Sequence, residues 1–355
     1  GGVEIHAPAV EVLAEAAAPP PFDLFRPTVK AQLPTLLDNA PVGLRHPRQR
    51  GLFRMAAVSM AGFRAALAAR DFVEIQTPKI VGAATEGGAN VFRIDYFGQP
   101  AYLSQSPQLY KQIMVGVFER VFEVGPAFRA EPHDTPRHIN EFVSLDVELG
   151  FIRDHHDVME LLNRVLESMV AAIQAELAAG TIGALPRPLP AVPARIPAIH
   201  FTEALELYSQ ATGDDARGEP DLAPAHERWL GEWASREHGS DFLFVWGYPT
   251  AKRAFYTHPD PARPGYSRGF DLLFRGLELV SGGQRLHRYD DYLAVLAERG
   301  MPAESFAGYL QAFRHGMPPH GGFAIGLERW VARLIEAPNI RETTLFPRDL
   351  ARLTP

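Results

Sequence analysis

Two stretches of alternating polarity, residues 121–131 and 141–151, constrain this chain more than any other feature. Both read as strands, and the polar segment 132–140 joins them. Side chains of a strand return to the same face every second residue, so Arg129 and Glu131 share one side of the first. Phe142, Asp146 and Glu148, spaced by even numbers, share one side of the second. One face therefore presents an arginine, an aromatic ring and several carboxylates, which is unusual for a buried sheet face unless it lines a polar ligand. The connecting loop adds His133, Arg137 and His138, placed to close over an anion. A guanidinium makes two hydrogen bonds to a phosphate at once, and a phenylalanine gives a base a stacking surface, so a nucleotide site fits. A set of ion pairs on an exposed sheet fits the same spacing equally well.

The rest of the pattern frames this unit. Residues 47–69 read as a helix with Leu52, Met55, Phe63 and Leu67 on related faces, and 71–81 as a strand. A loop over 82–90, a hairpin over 92–103 turning near Gly98 and a helix over 106–118 precede the strand pair. A long amphipathic helix, 154–179, follows it, capped by Asp154 and striped by Val158, Leu161, Leu162, Val165, Leu166 and Met169. Residues 180–198 are proline-rich and read as a linker, and 199–240 as mainly helical. Strands are expected at 241–248, 253–256, 269–274 and 277–280, and helices at 290–298 and 303–314. A glycine-rich turn opening a helix is expected over 322–337. Strands grouped with helices outside a strict alternation predict an α+β fold with a largely antiparallel sheet. At the start, 1–12 alternates like a terminal strand, and an alanine run with Pro19-Pro20-Pro21 reads as a linker. A lone strand cannot bury itself, so residues 1–23 read as the end of another domain and 24–355 as the main unit.

Composition narrows the chemistry. Apolar residues make up 46% of the 355 and charged residues 22%, ordinary for a soluble protein with a full core. Without cysteine there are no disulfides or thiolates, and any metal is left to oxygen and nitrogen ligands. A net charge of −7 argues against broad nonspecific nucleic-acid binding but leaves room for a local basic face. No apolar run is long enough to span a bilayer and no secretory signal is recognised, so a cytoplasmic protein is expected, away from membranes.

Two further clusters stand out. Phe270-Asp271 is followed by Glu278, Ser281-Gly282-Gly283 and Arg285. Glu278 and Ser281 are the hard oxygen donors Mg²⁺ prefers, and the glycines let backbone approach a ligand, although a Gly-Gly pair between strands is more often only a turn. Gly326-Leu327-Glu328-Arg329 could set Arg329 on a phosphate or against a base, but the lysine of a P-loop is lacking. His155-His156-Asp157 has the residue types of a metal site, yet reads better as a solvated helix start.

Taken together these strings resemble the class II aminoacyl-tRNA synthetases, which carry three motifs in this order. The helix and strand ending in Thr77-Pro78 resemble motif 1, Phe128-Arg129-Ala130-Glu131 through Phe142 motif 2, and Gly326-Leu327-Glu328-Arg329 motif 3. Gln105-Ser106-Pro107-Gln108-Leu109-Tyr110-Lys111-Gln112 is similar to the amino-acid-binding segment of the aspartyl branch, and Thr85-Glu86-Gly87-Gly88 to its mobile loop. Ser281-Gly282-Gly283-Gln284-Arg285 and the closing Leu345-Phe346-Pro347-Arg348-Asp349 resemble the archaeal and eukaryotic type. Residues 1–23 then resemble the last strand and linker of the oligonucleotide-binding domain that reads the anticodon.

The resemblance implies a set of roles. Arg129 would hold the α-phosphate of ATP, Glu131 would accept from the adenine amino group, and Phe142 and Arg329 would sandwich the base. Arg137 and His138 would complete the ATP site, His138 at the γ-phosphate, and Glu278 with Ser281 would ligate Mg²⁺. Arg129, Glu278 and Arg329 would be the catalytic set. Glu86, Ser106, Gln108, Lys111, Asp146 and Arg285 would bind aspartate, with Lys111 selecting it over asparagine. The adenylate would pass to the acceptor end of a tRNA, and motif 1 implies a homodimer. Whether tRNA(Asn) is charged besides tRNA(Asp) depends largely on the anticodon-reading domain. An asparaginyl enzyme, an ammonia-dependent asparagine synthetase and a non-catalytic relative are the rival expectations. Lys111 argues against the first, the remnant at 1–23 against the second, and Arg129, Glu278 and Arg329 together against the third. Two departures are noted: Gly247 where relatives usually carry an aspartate, and His258 where archaeal relatives tend to carry methionine.

Overall fold

The computed structural model describes residues 6, 9–82 and 90–354. Its strands are β1 (Val73–Glu74), β2 (Ile80–Val81), β3 (Arg93–Tyr96), β4 (Gln99–Leu103), β5 (Arg120–Phe128), β6 (Glu141–Gly150), β7 (Ala198–His200), β8 (Phe242–Trp246), β9 (Gly269–Phe274), β10 (Leu277–Gln284) and β11 (His320–Gly326). Its helices are α1 (Leu33–Asp38), α2 (Ala40–Gly43), α3 (Pro47–Ala68), α4 (Gln108–Phe118), α5 (His155–Ala178), α6 (Phe201–Thr212), α7 (Pro224–His238), α8 (Tyr289–Glu298), α9 (Ala307–Arg314) and α10 (Leu327–Ile335). The main sheet runs β1-β5-β6-β11-β10-β9-β8-β7, antiparallel except where β1 meets β5 and β7 meets β8. A small sheet runs β2-β4-β3. The expected α+β class, with a mostly antiparallel sheet flanked by helices, is what is found.

Alternation decides which face is which. Leu145 and Val147 of β6, Phe270, Leu272 and Phe274 of β9 and Phe323 and Ile325 of β11 point to one side, where α3, α5 and α10 cover them. The stripe expected on α5 supplies Val158, Leu162, Val165, Leu166 and Met169 to this core. Each such side chain contributes roughly 1.5–3 kcal/mol on burial. On the opposite face, α6 and α7 cover the β7–β9 end around Leu243, Val245 and Leu273. Phe255, Leu286, Tyr292, Tyr309 and Phe313 form a separate cluster with α8 and α9. Among the described residues no apolar cluster covers the middle of that face, and its polar residues gather there. Among the described residues no helix is long and apolar enough to cross a membrane.

Several elements differ from expectation. The segment 71–81 makes two short strands in different sheets, β1 and β2, because the Glu123 carboxylate takes Thr77 N, Thr77 Oγ1 and Lys79 Nζ and bends the chain between them. Residues 253–256 form no strand; a short 3₁₀ turn, Thr250–Lys252, leads into irregular chain. The glycine-rich start of 322–337 is β11, not a helical turn, and the helix begins only at Leu327. Glycines carry little local preference, so pairing with β6 and β10 on both sides decides. Strand β10 likewise runs straight through Gly282-Gly283 to Gln284. The terminal strand expected over 1–12 lies largely outside the described residues, and 9–12 contain no strand.

Helices α3 and α5 cross where Gly62 lets them touch: a Cβ there would lie 2.9 Å from the Met169 Cα and from the Ser168 carbonyl oxygen. Ser168 Oγ donates to the Gly62 carbonyl at 2.8 Å, fixing the contact. Gly62→Val should therefore lower the melting temperature by an amount corresponding to about 1–3 kcal/mol, read by calorimetry, with the unchanged chain as reference.

Candidate active site

Register builds the site. Residues directly opposite in neighbouring strands project to the same face, so Glu123, Asp146, Ala324, Ser281 and Asp271 form one rung across β5, β6, β11, β10 and β9. The next rung holds Glu148 opposite three glycines in turn, Gly322, Gly283 and Gly269. A Cβ on Gly322 would sit 2.2 Å from the Glu148 carboxylate, so glycine is what leaves that acid its place. Gly282 and Gly283 serve packing too: added Cβ atoms would meet Phe270 at 2.5 Å and the Arg268 carbonyl at 2.7 Å. Strand-on-strand contact, rather than a ligand, fills the space expected beside them.

A pocket opens over the β6, β10 and β11 part of this face. Arg129, Glu131, Arg137, His138, Phe142, Ser144, Glu278, Ser281 and Arg329 line it, which unites every residue expected at the nucleotide and metal sites. Arg129 lies with its guanidinium 5.3 Å from the Phe142 ring centroid. Asn140 holds the loop behind it, donating to the carbonyls of Arg129 at 2.7 Å and Glu131 at 3.3 Å. Arg341, buried after α10, bonds to Asp349, Asp134 and the Thr135 carbonyl and so ties the same loop to the chain's last segment. His138 shares a 2.6 Å hydrogen bond with Thr135 Oγ1, and burial lowers its proton affinity. His133 is exposed beside it, its ring centroid 5.3 Å from that of His138.

Glu278 reaches this face through an irregularity. A spacing of three from Ser281 would send the two side chains to opposite sides of a regular strand. A register shift between Glu278 and Val280 removes one step and aims both at the pocket. There Glu278 meets two other acids, Asp271 and Glu227. Burial raises its pKa above the carboxylate range, and Asp271 and Glu227 raise it further against Arg329 and Arg253. Glu227 of α7 accepts from the Glu278 backbone N–H at 3.0 Å, and burial raises its own pKa. Arg253 offsets part of this charge. Its guanidinium forks onto Asp271 at 3.0 and 2.7 Å, donates to Ser281 Oγ at 3.1 Å and lies 3.8 Å from the Tyr248 ring centroid. Arg329 donates to the Glu278 carbonyl at 3.1 Å, with its carboxylate at 3.8 Å. Arg253 and Glu227 were not among the expected site residues, and Asp271 was singled out with the Glu278–Arg285 cluster without a role. The one available signal was an acid inside the apolar run Phe270–Phe274; nothing local marks Arg253 or Glu227.

Beyond the pocket four charges lie buried together. Lys111 of α4, 1% exposed, places Nζ 3.0 Å from Asp146 Oδ1 and 3.4 Å from Glu148 Oε2. It is no solvated helix lysine. Arg285 donates to Glu148 Oε1 at 3.0 Å and to the Gly322 carbonyl at 3.1 Å. Burial would raise the Glu148 pKa, but Arg285 and Lys111 outweigh it and hold the carboxyl below its ordinary value. Ser144 Oγ donates to Asp146 Oδ2 at 2.5 Å. Gln108, one turn before Lys111, is buried with Nε2 unpartnered. Since a side-chain amide can turn over, it can offer a ligand either a donor or an acceptor. Ser106 Oγ accepts from the Gln108 backbone N–H at 3.2 Å. Glu86 lies outside the described residues.

The two departures have separate accounts. Gly247 adopts φ +78°, and a Cβ there would fall 2.2 Å from the buried His200 ring, so His200 excludes an aspartate at 247. His258 bonds its own loop, Nδ1 to the Pro259 carbonyl at 2.6 Å, and stacks toward His287 at 6.3 Å.

Comparison with known proteins agrees with this arrangement. The family model described as "tRNA synthetases class II (D, K and N)" matches residues 32–350. The chain is 48% identical over its whole length to the aspartate–tRNA(Asp/Asn) ligase of Thermus thermophilus, covering 83% of that protein. It is 43% identical to the aspartate–tRNA(Asp) ligase of Picrophilus torridus, covering all of this chain and 81% of that one. Among solved structures, the asparaginyl-tRNA synthetase of Pyrococcus horikoshii with asparaginyl-adenylate superposes with a TM-score of 0.80 at 32% identity, over 92% of this chain and 74% of the other. The chain belongs to the class II tRNA synthetase family of the D, K and N enzymes.

Proposed function

We propose that this chain is an aspartate–tRNA ligase, and that the buried Lys111–Asp146–Glu148–Arg285 cluster carries its choice of amino acid. Two cations held in place by two carboxylates offer a substrate carboxylate prearranged N–H donors on Lys111 and Arg285. A substrate amide would bring its own N–H donors against that ammonium and leave a buried charge poorly matched. Gln108, Ser106 and Glu86 would receive the α-amino group on the other side.

Arg129 holds the α-phosphate of ATP, Glu131 takes the adenine amino group, and Phe142 and Arg329 enclose the base. Arg137 and His138 sit where the outer phosphates fold back. The aspartate α-carboxylate attacks the α-phosphorus, the bond to the bridging oxygen breaks, and pyrophosphate leaves. No protein nucleophile is required. Arg129 stabilises charge growing on the phosphoryl oxygens, and fixed geometry supplies the rest. The terminal ribose hydroxyl of the tRNA acceptor end then takes the aspartyl group. Glu278 and Ser281, together with Asp271, present hard oxygens where three acids crowd, and such a set fits Mg²⁺. Bound there, Mg²⁺ supplies charge neutralisation for the phosphates. In this reading residues 24–355 are the catalytic unit. The exposed apolar Val73 on the edge strand β1 supports a homodimer through that edge.

Aminoacylation with labelled aspartate and a tRNA(Asp) transcript tests the assignment. Lys111→Met is expected to cut aspartate transfer by about 100-fold or more, since breaking a buried pair costs roughly 3–5 kcal/mol, while ATP binding by calorimetry stays within about threefold. Equal loss of both would place Lys111 in the scaffold alone. The raised pKa of Glu278 gives a second expectation. The folded acid holds its proton above the usual carboxylate range, so the metal-binding carboxylate form grows as pH rises. At limiting Mg²⁺ the rate should fall on the acidic side, and added Mg²⁺ should move that limb to lower pH. A limb indifferent to Mg²⁺ contradicts Glu278 as a ligand.

A further inference from the structure

We propose that Asp154, His155 and His156, where β6 gives way to α5, form a site for one divalent transition-metal ion of the Zn²⁺ class, separate from the catalytic pocket. Each residue offers one ligand atom, and these atoms lie within 4.8 Å of one another. None of the three lines the nucleotide pocket. The cluster sits at a helix start, which alone would mean little. The independent observation is His155. Its ring is 3% exposed, and neither Nδ1 nor Nε2 has a hydrogen-bond partner. A buried imidazole normally places both nitrogens, and one that places neither calls for a missing ion or water.

The surroundings favour the ion. The His155 and His156 ring centroids are 4.1 Å apart, and the Trp246 ring closes the inner side at 5.2 Å from His155. Asp154 Oδ1 takes the His156 backbone N–H at 2.8 Å and ring Nδ1 at 3.0 Å, which turns the exposed ring toward its neighbour. The carboxylate's second oxygen is not used by that cap. Asp260 acts electrostatically on His155 in favour of a cation, while His156, if protonated, and Arg268 act against one. Two imidazoles and one carboxylate suit Zn²⁺, Co²⁺ or Ni²⁺ rather than Mg²⁺ or Ca²⁺. Tetrahedral bonds of about 2.1 Å set donors roughly 3.4 Å apart, so the set closes by rotation of the outer two side chains. A metal here would fix the cap and first turn of α5, the helix that follows β6.

The test is calorimetric titration of the tag-free, chelator-treated chain with Zn²⁺ in excess Mg²⁺, alongside melting curves. One Zn²⁺ per chain with a Kd near 10 µM or tighter, and a melting temperature raised by several degrees, is expected. His156→Ala, on the exposed side, should weaken binding by about 30-fold or more and leave aspartate activation without Zn²⁺ unchanged. His155→Phe should abolish binding. Wild-type binding retained undiminished in His156→Ala would place the ion elsewhere and overturn the site, even if His155→Phe does not fold. No binding at about 100 µM Zn²⁺ would also overturn it and leave the His155 nitrogens to water.

Discussion

Four buried charges, Lys111, Arg285, Asp146 and Glu148, are the constraint around which this protein is arranged. Charges removed from water are costly unless each meets an opposite charge and its remaining hydrogen-bonding capacity is filled. Here two cations face two anions, and Ser144 and the Gly322 carbonyl take further contacts. The backbone makes room for the acid: the rung opposite Glu148 is glycine on three successive strands, and a side chain on the first, Gly322, would collide with the Glu148 carboxylate. The apolar layer beneath, from α3, α5 and α10, keeps that backbone fixed.

The nucleotide pocket follows from the same sheet by different means. Where the buried cluster balances its charges, Glu278 at the pocket wall feels two further acids behind it, Asp271 and Glu227, against Arg253 and Arg329. A register shift in β10 brings Glu278 to the working face, and α7 brings Glu227 from outside the sheet. The four-charge cluster and the pocket thus occupy neighbouring rungs of one sheet face, and in the proposed reaction that closeness would let a substrate carboxylate meet an α-phosphorus without a protein nucleophile.

Much of this was legible in the sequence because the strand period is short. Phe142, Asp146 and Glu148 were assigned to one face from even spacing alone, and the α5 stripe from helical spacing; the strand expected to run to 131 ends at Phe128, so Arg129 and Glu131 lie past it and the strand period does not place them. Period arguments failed where tertiary pairing overrides local preference. Residues 320–326 form a central strand although glycines dominate its start, and 71–81 splits because Glu123, some 40 residues later, captures Thr77 and Lys79. Glu278 and Ser281 were grouped by donor chemistry, but their spacing of three opposes them on a regular strand and only the register shift puts them on one face. Arg253 and Asp271 meet across 18 residues of chain, and no pattern near either names the other.

The central claim is that this site activates aspartate and refuses its amide. ATP–pyrophosphate exchange by the unmodified chain, with aspartate, asparagine and lysine compared at equal concentration, tests it most directly. The account predicts exchange with aspartate at least about 100-fold faster than with asparagine, and none with lysine, because a matched buried carboxylate is worth several kcal/mol over an amide here. Exchange with asparagine equal to or above that with aspartate would contradict it.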